Sequence, residues 1–123
     1  MLYDLEVLTK ELDNLSKMFS EATLTKGTAK VNLLKAKMAL ADEEVKVILA
    51  PEKLDGKNQQ TRDAQLAEYT RVDRLAVDMA ELTYQEASAK ADALEILLKN
   101  QRDKLRIIEL LQFALDEDEE EER

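Results

Sequence analysis

Helix breakers are almost absent from this chain, and most of the few stand close together. Its one proline is Pro51, and its two glycines are Gly27 and Gly56. Proline lacks a backbone donor and clashes with the preceding helical turn, so a helix reaching it ends near Ala50. The Asp55-Gly56 pair suits a turn position of positive φ. Asn58 then offers a side-chain oxygen to the free amides of Gln60 or Thr61, which is how an N-cap opens a helix. Asp63 follows in the first turn, where the helix dipole favours an acid. Residues 51–58 are therefore expected to turn one helix back on another. Elsewhere Ala, Leu, Glu, Lys, Gln and Arg dominate, all good helix formers. The sequence predicts an all-α fold in which two long helices, 2–50 and 59–115, form an antiparallel, coiled-coil-like hairpin. Residues 1–115 make one domain, followed by an acidic C-terminal tail, 116–123, expected to be disordered.

Apolar spacing supports this. Leu5, Leu8, Leu12, Leu15, Phe19 and Ala22 alternate three and four apart, the a/d seam of a coiled coil. The stretch TLTKGTAK, 23–30, then lowers helix propensity with three Thr and a Gly. It is read either as a kink in a continuous helix or as a break, with Thr25 or Thr28 capping a new one. Beyond it runs a second seam, Leu34, Met38, Ala41, Val45 and Ile48, out of phase with the first. Continuing the first phase reaches Leu33, Ala36 and Leu40, also apolar, so this half has a broad apolar face. In the second helix Val72, Leu75, Met79 and Leu82 form one seam. Small residues fill 83–93. A regular seam then runs through Ala91, Leu94, Leu98, Gln101, Leu105, Ile108, Gln112 and Leu115. The two glutamines either fix register or mark partial exposure. The helices would be roughly 70 and 85 Å long at 1.5 Å per residue. Two such helices leave Leu33, Leu40, Leu97, Ile107, Leu110, Leu111 and Phe113 uncovered, so either the helices break and fold into a compact bundle or several chains associate, and association is expected. The candidate association seam is Leu5, Leu8, Leu12, Leu15, Phe19, Leu94, Leu98, Leu105 and Ile108.

Composition narrows the chemistry. The chain has no His, Cys or Trp, which removes the usual zinc, haem and iron–sulfur ligands and any nucleophile–histidine pair. No glycine-rich phosphate loop occurs. Neighbouring acids such as Asp42, Glu43 and Glu44 read as surface charge, and DGKNQQTRDAQL lacks the spacing of a calcium loop. No catalytic residue, cofactor or metal is expected, and the chain is read as non-enzymatic. No apolar run approaches the length of a membrane span, and the start has no signal-peptide pattern. A soluble intracellular protein without a membrane partner is expected.

Charge is unevenly placed. The net charge is −9, and DEDEEEER at 116–123 supplies seven acids and one Arg, or −6, leaving −3 for the rest. Asp116, Glu117, Asp118 and Glu119 begin this block. It can serve as a polyanion in a partner's basic groove or simply aid solubility. Lys99, Arg102 and Arg106 lie on one helical stripe and are able to meet phosphates, though no aromatics interleave to stack on bases.

Residues 54–69, LDGKNQQTRDAQLAEY, resemble the central segment of small all-helical proteins encoded by phages and prophages. Those proteins have no assigned function and often lie near replication and recombination genes. In them a short loop ending in Lys-Asn precedes xxxRxAxL between two long helices, and here Lys57, Asn58, Arg62, Ala64 and Leu66 stand at those places. The likeness covers 16 of 123 residues, and the flanks share only helical character. It implies a phage origin, the cytoplasm of a bacterial host and a partner near DNA metabolism, with no catalytic residue carried over. Arg62 is expected to bond the last carbonyls of the first helix and lock the turn, with Pro51, Gly56 and Asn58 as the other structural residues.

The function expected first is therefore an adaptor or assembly protein that forms a homo-oligomer and binds a protein partner. A modulator or inhibitor of a nucleic-acid-handling protein, with the tail imitating DNA charge, is the alternative. Direct nucleic-acid binding through 99–106 is the third, disfavoured by the negative net charge.

Overall fold

A computed structural model of the protein describes residues 4–122, with side chains through Glu120. The order of elements is α1 (Leu5–Ile48), a 3₁₀ turn (Pro51–Lys53), α2 (Gln59–Tyr69) and α3 (Arg71–Glu122). The fold is all-helical and hairpin-like, without a strand among the described residues. Asp4 caps α1: its Oδ1 accepts from the amides of Glu6 at 3.0 Å and Val7 at 3.3 Å. Helix formation thus begins at Leu5, and positions 2 and 3 of the expected helix lie outside the described residues.

No break occurs at 23–30. The Thr23 hydroxyl donates to the Phe19 carbonyl at 2.9 Å, a bond made within the helix. Gly27 costs only about 1 kcal/mol relative to Ala, and buried Ala22, Ala29 and Leu33 hold the helix on both sides of it. Because α1 is continuous, its seam never changes phase. Leu5, Leu8, Leu12, Leu15, Phe19, Ala22, Lys26, Ala29, Leu33, Ala36, Leu40, Glu43 and Val47 are each buried or half-buried. The expected out-of-phase seam is therefore corrected: Leu34, Met38, Ala41, Val45 and Ile48 are exposed.

The second helix of the expectation is two helices. Thr70 separates α2 from α3, and α3 continues past 115 to Glu122. Its inward positions are Asp73, Val77, Ala80, Tyr84, Ala87, Ala91, Leu94, Leu98, Gln101, Leu105, Ile108 and Gln112. Val72, Leu75, Met79 and Leu82 are exposed instead of forming a seam, and Leu115 is exposed too. Residues 116–120 are helical and exposed.

Two compact units divide the chain: Met1–Leu24 with Ala89–Arg123, and Thr25–Ser88. In the first, Ala22, Ala91 and Leu94 form a core, with Leu15 and Phe19 packed against it. Each large apolar side chain fully buried there contributes roughly 1.5–3 kcal/mol. Gln101 donates to Glu11 Oε2 at 3.1 Å, so this seam glutamine bonds across to α1. Gln112 is half-buried and donates to Asp116 at 3.2 Å.

In the second unit the interior is smaller and more polar. Ala29, Leu33, Val47 and Thr70 are buried. Across the two helices Lys30 Nζ sits 5.0 Å from the Tyr84 ring centre, and Arg74 Nη2 lies 3.7 Å from Glu44 Oε1. These contacts set the antiparallel register: each step down α1 is met by a step up α3.

Candidate functional site

The turn is a closed network. The chain leaves α1 at Ile48, and Pro51 occupies the first position of the 3₁₀ turn, where a missing amide costs nothing. Asn58 caps α2, its Oδ1 accepting from the Thr61 amide at 2.8 Å and the Thr61 hydroxyl at 2.9 Å. Asp63 accepts from Gln59 Nε2 at 2.7 Å. The Gln65 amide spans the loop, donating to Asp55 at 2.7 Å and accepting from the Gly56 amide at 3.0 Å.

Two expectations about the turn need correction. No described residue has positive φ, so Gly56 is not required by backbone conformation. It is required by space, since a Cβ there would lie 2.6 Å from Thr61 Cγ2 and 2.8 Å from Thr61 Cβ. Arg62 does bond a carbonyl, but that of Gly56 at 3.2 Å, not those ending α1, and it also reaches Gln59 at 3.4 Å. Every polar group here that the network uses is bonded to another part of the turn, which leaves a structural device.

Thr70 was not foreseen. It is fully buried, its hydroxyl donating to the Leu66 carbonyl at 2.8 Å and accepting from Arg74 Nε at 2.9 Å. A hydroxyl bonded four residues back bends a helix, and Thr70 leaves helical geometry at φ −106° and ψ 14°. Arg74 then reaches Glu44 on α1, joining bend, α3 and α1 in one polar chain. Nothing in the local stretch EYTRVDR, residues 68–74, marks this, because threonine also occurs inside helices.

The basic stripe and tail stand apart from these. Lys99, Arg102 and Arg106 are exposed. Lys99 and Arg102 border an open groove of about 330 Å³, shared with Ser16, Phe19, Ser20, Leu98 and the acid Glu95. That carboxylate offsets the two bases against an anion. Asp116, Glu117, Asp118 and Glu119 are exposed. No group of three or more potential metal ligands occurs among the described residues, and no described helix is long and apolar enough to cross a membrane.

The nine residues proposed as an association seam are all buried or half-buried in the first unit. Of the residues expected to be left uncovered, Leu97, Ile107, Leu110, Leu111 and Phe113 are exposed in the first unit, whereas Leu33 is buried and Leu40 half-buried, because the unbroken α1 turns them inward. In the second unit α1 exposes Val31, Leu34, Met38, Val45 and Ile48, and α3 exposes Val72, Leu75, Met79 and Leu82. At 100° per residue each set lies on the face opposite its own inward seam. The sequence showed these residues as apolar but assigned them to the interior, because their three–four spacing is the same as that of the true seam. No family model, curated protein or solved structure matches the chain.

Proposed function

We propose that this chain is a non-enzymatic helical adaptor or assembly protein of phage type, acting in the cytoplasm of a bacterial host by self-association and by binding a protein partner. The observation that carries this reading is the regular apolar stripe on the outward face of each helix in the second unit. Monomers seldom expose contiguous apolar surface of this kind without a partner for it. Heptad spacing adds that the partner surface is itself helical. The phage origin rests on the resemblance of residues 54–69. Light scattering at increasing concentration tests the reading: masses above the 14.0 kDa of one chain are expected. A clean monomer at high concentration would count decisively against it.

The second reading keeps the tail as a disordered polyanion that occupies a basic groove on a nucleic-acid-handling protein. The exposure of residues 116–120 favours it. Truncation after Leu115 is expected to weaken such binding and to flatten its dependence on salt, and unchanged binding would remove this reading.

A further inference from the structure

We propose that the occupant of the outward stripe of α1 is the outward stripe of α3 from a second copy of this chain. This rests on the self-association reading above and specifies its interface. The two stripes match in spacing when set antiparallel. From Val31 the α1 stripe steps three, four and three residues to Leu34, Met38 and Ala41. From Leu82 the α3 stripe steps back by the same intervals to Met79, Leu75 and Val72. Val31 therefore meets Leu82, Leu34 meets Met79, Met38 meets Leu75 and Ala41 meets Val72, four successive layers without a gap.

The stripes also lie at the same level within one hairpin. The Lys30–Tyr84 and Glu44–Arg74 contacts fix Val31 near Leu82 and Ala41 near Val72 along the axis. A second hairpin moved sideways, with a slide of no more than about one helical turn of 5.4 Å, brings the layers into register.

Charge agrees with this alignment. Beside the α1 stripe, at seven-residue intervals, stand Lys30, Lys37 and Glu44, and beside the α3 stripe stand Arg71, Asp78 and Gln85. In the antiparallel setting the rows face each other so that Lys37 opposes Asp78, while Glu44, already paired with Arg74 of its own chain, comes level with Arg71. Lys37, Asp78 and Arg71 are exposed. Opposite charges flanking an apolar seam select partner and direction in coiled coils.

Each copy offers one stripe on one helix and the complementary stripe on the other, facing away from each other. The contact is heterologous, so copies add side by side until a ring closes or an open row forms.

Sedimentation equilibrium on three proteins, with cross-linking on a fourth, tests this. The wild type is expected to pass beyond a dimer as concentration rises. Lys37→Glu is expected to weaken association about fivefold, the weight of a rim ion pair, and adding Asp78→Lys to restore it. The chain has no native cysteine, so Leu34→Cys with Met79→Cys is expected to give a disulfide-linked ladder between chains under mild oxidation. Oligomers indifferent to both charge substitutions, with no cross-link between 34 and 79, would overturn this interface while leaving self-association standing. A monomer at all concentrations would overturn both. Helix content by circular dichroism, expected unchanged in the charge variants, keeps loss of association separate from loss of fold.

Discussion

One stripe of α1 has two characters. In the first unit its outward positions are Glu6, Lys10, Asp13, Lys17, Ser20 and Leu24; in the second the same stripe continues past Gly27 as Val31, Leu34, Met38, Ala41, Val45 and Ile48. The inward seam changes in the opposite sense. It is Leu5, Leu8, Leu12, Leu15 and Phe19 in the first unit, facing Leu94, Leu98, Leu105 and Ile108 on α3. In the second it runs through Ala29, Leu33, Ala36, Leu40 and Val47, and the inward residues of α3 there are Asp73, Val77, Ala80 and Tyr84. On α1 the first unit keeps its regular apolar seam inside and sets mostly polar residues on the opposite stripe, although its α3 also exposes Ile96, Leu97, Ile107, Leu110 and Leu111. The other has a smaller, hydrogen-bonded interior and keeps large apolar residues for its outer face. Apolar side chains placed where they stabilise nothing within the chain are what an association surface requires, and residues 31–48 and 72–82 are the surface that the proposed self-association would use.

The sharpest way to break the contrast is to truncate equivalent leucines inside and outside. Leu98 is 4% exposed and Leu34 is 52% exposed. Leu98→Ala is expected to cost the fold about 2–5 kcal/mol in urea unfolding at concentrations low enough to keep chains apart. Leu34→Ala is expected to cost under about 0.5 kcal/mol there. Comparable losses would mean that the stripe is covered within the chain.

The polar interior of the second unit gives a smaller effect. Thr70→Val keeps the shape but removes the hydroxyl from Leu66 and Arg74, and is expected to destabilise by about 1–3 kcal/mol. The Glu44–Arg74 pair contributes far less, at most about 1 kcal/mol, because both side chains retain substantial solvent exposure. If Thr70→Val proved neutral, the bend would be held by apolar packing and not by its hydrogen bonds.

The two glycines separate the turn from the helix. Gly56→Ala is expected to destabilise by about 1–3 kcal/mol, since the new methyl meets Thr61. Gly27→Ala meets nothing within 4 Å and is expected to stabilise α1 by up to about 1 kcal/mol. Equal signs from thermal melts of both variants would contradict the steric account of Gly56.

Legibility in the sequence followed the same division. Leu5 through Ala22 and Ala91 through Gln112 were readable because an unbroken three–four spacing marks their inward face, even though Ile96, Leu97, Ile107, Leu110 and Leu111 stand exposed beside it. The Pro51 stop and Asn58 cap were readable because each residue type has a specific backbone chemistry. Residues 33–48 and 72–82 were not, since two faces compete and the larger side chains lie on the outer one. What decides between them is the unbroken α1, which carries the phase of the first seam through Gly27 to Val47. The Thr70 bend left no signal, as its bonds to Leu66 and Arg74 are of a kind that a threonine can also make inside an unbroken helix. At Gly56 the residue was noticed for the wrong reason: closeness to Thr61 depends on how the loop folds back, and that is absent from local sequence.

The claim that the outer stripe associates chains while the inner seam folds them is tested most directly by sedimentation equilibrium on the Met38→Lys, Met79→Lys double variant beside the wild type. The expected result is a fall from a concentration-dependent oligomer to about 14.0 kDa, with the helical signal of the dilute wild type retained. A double variant that keeps the wild-type mass, or one that loses its helices, would contradict it.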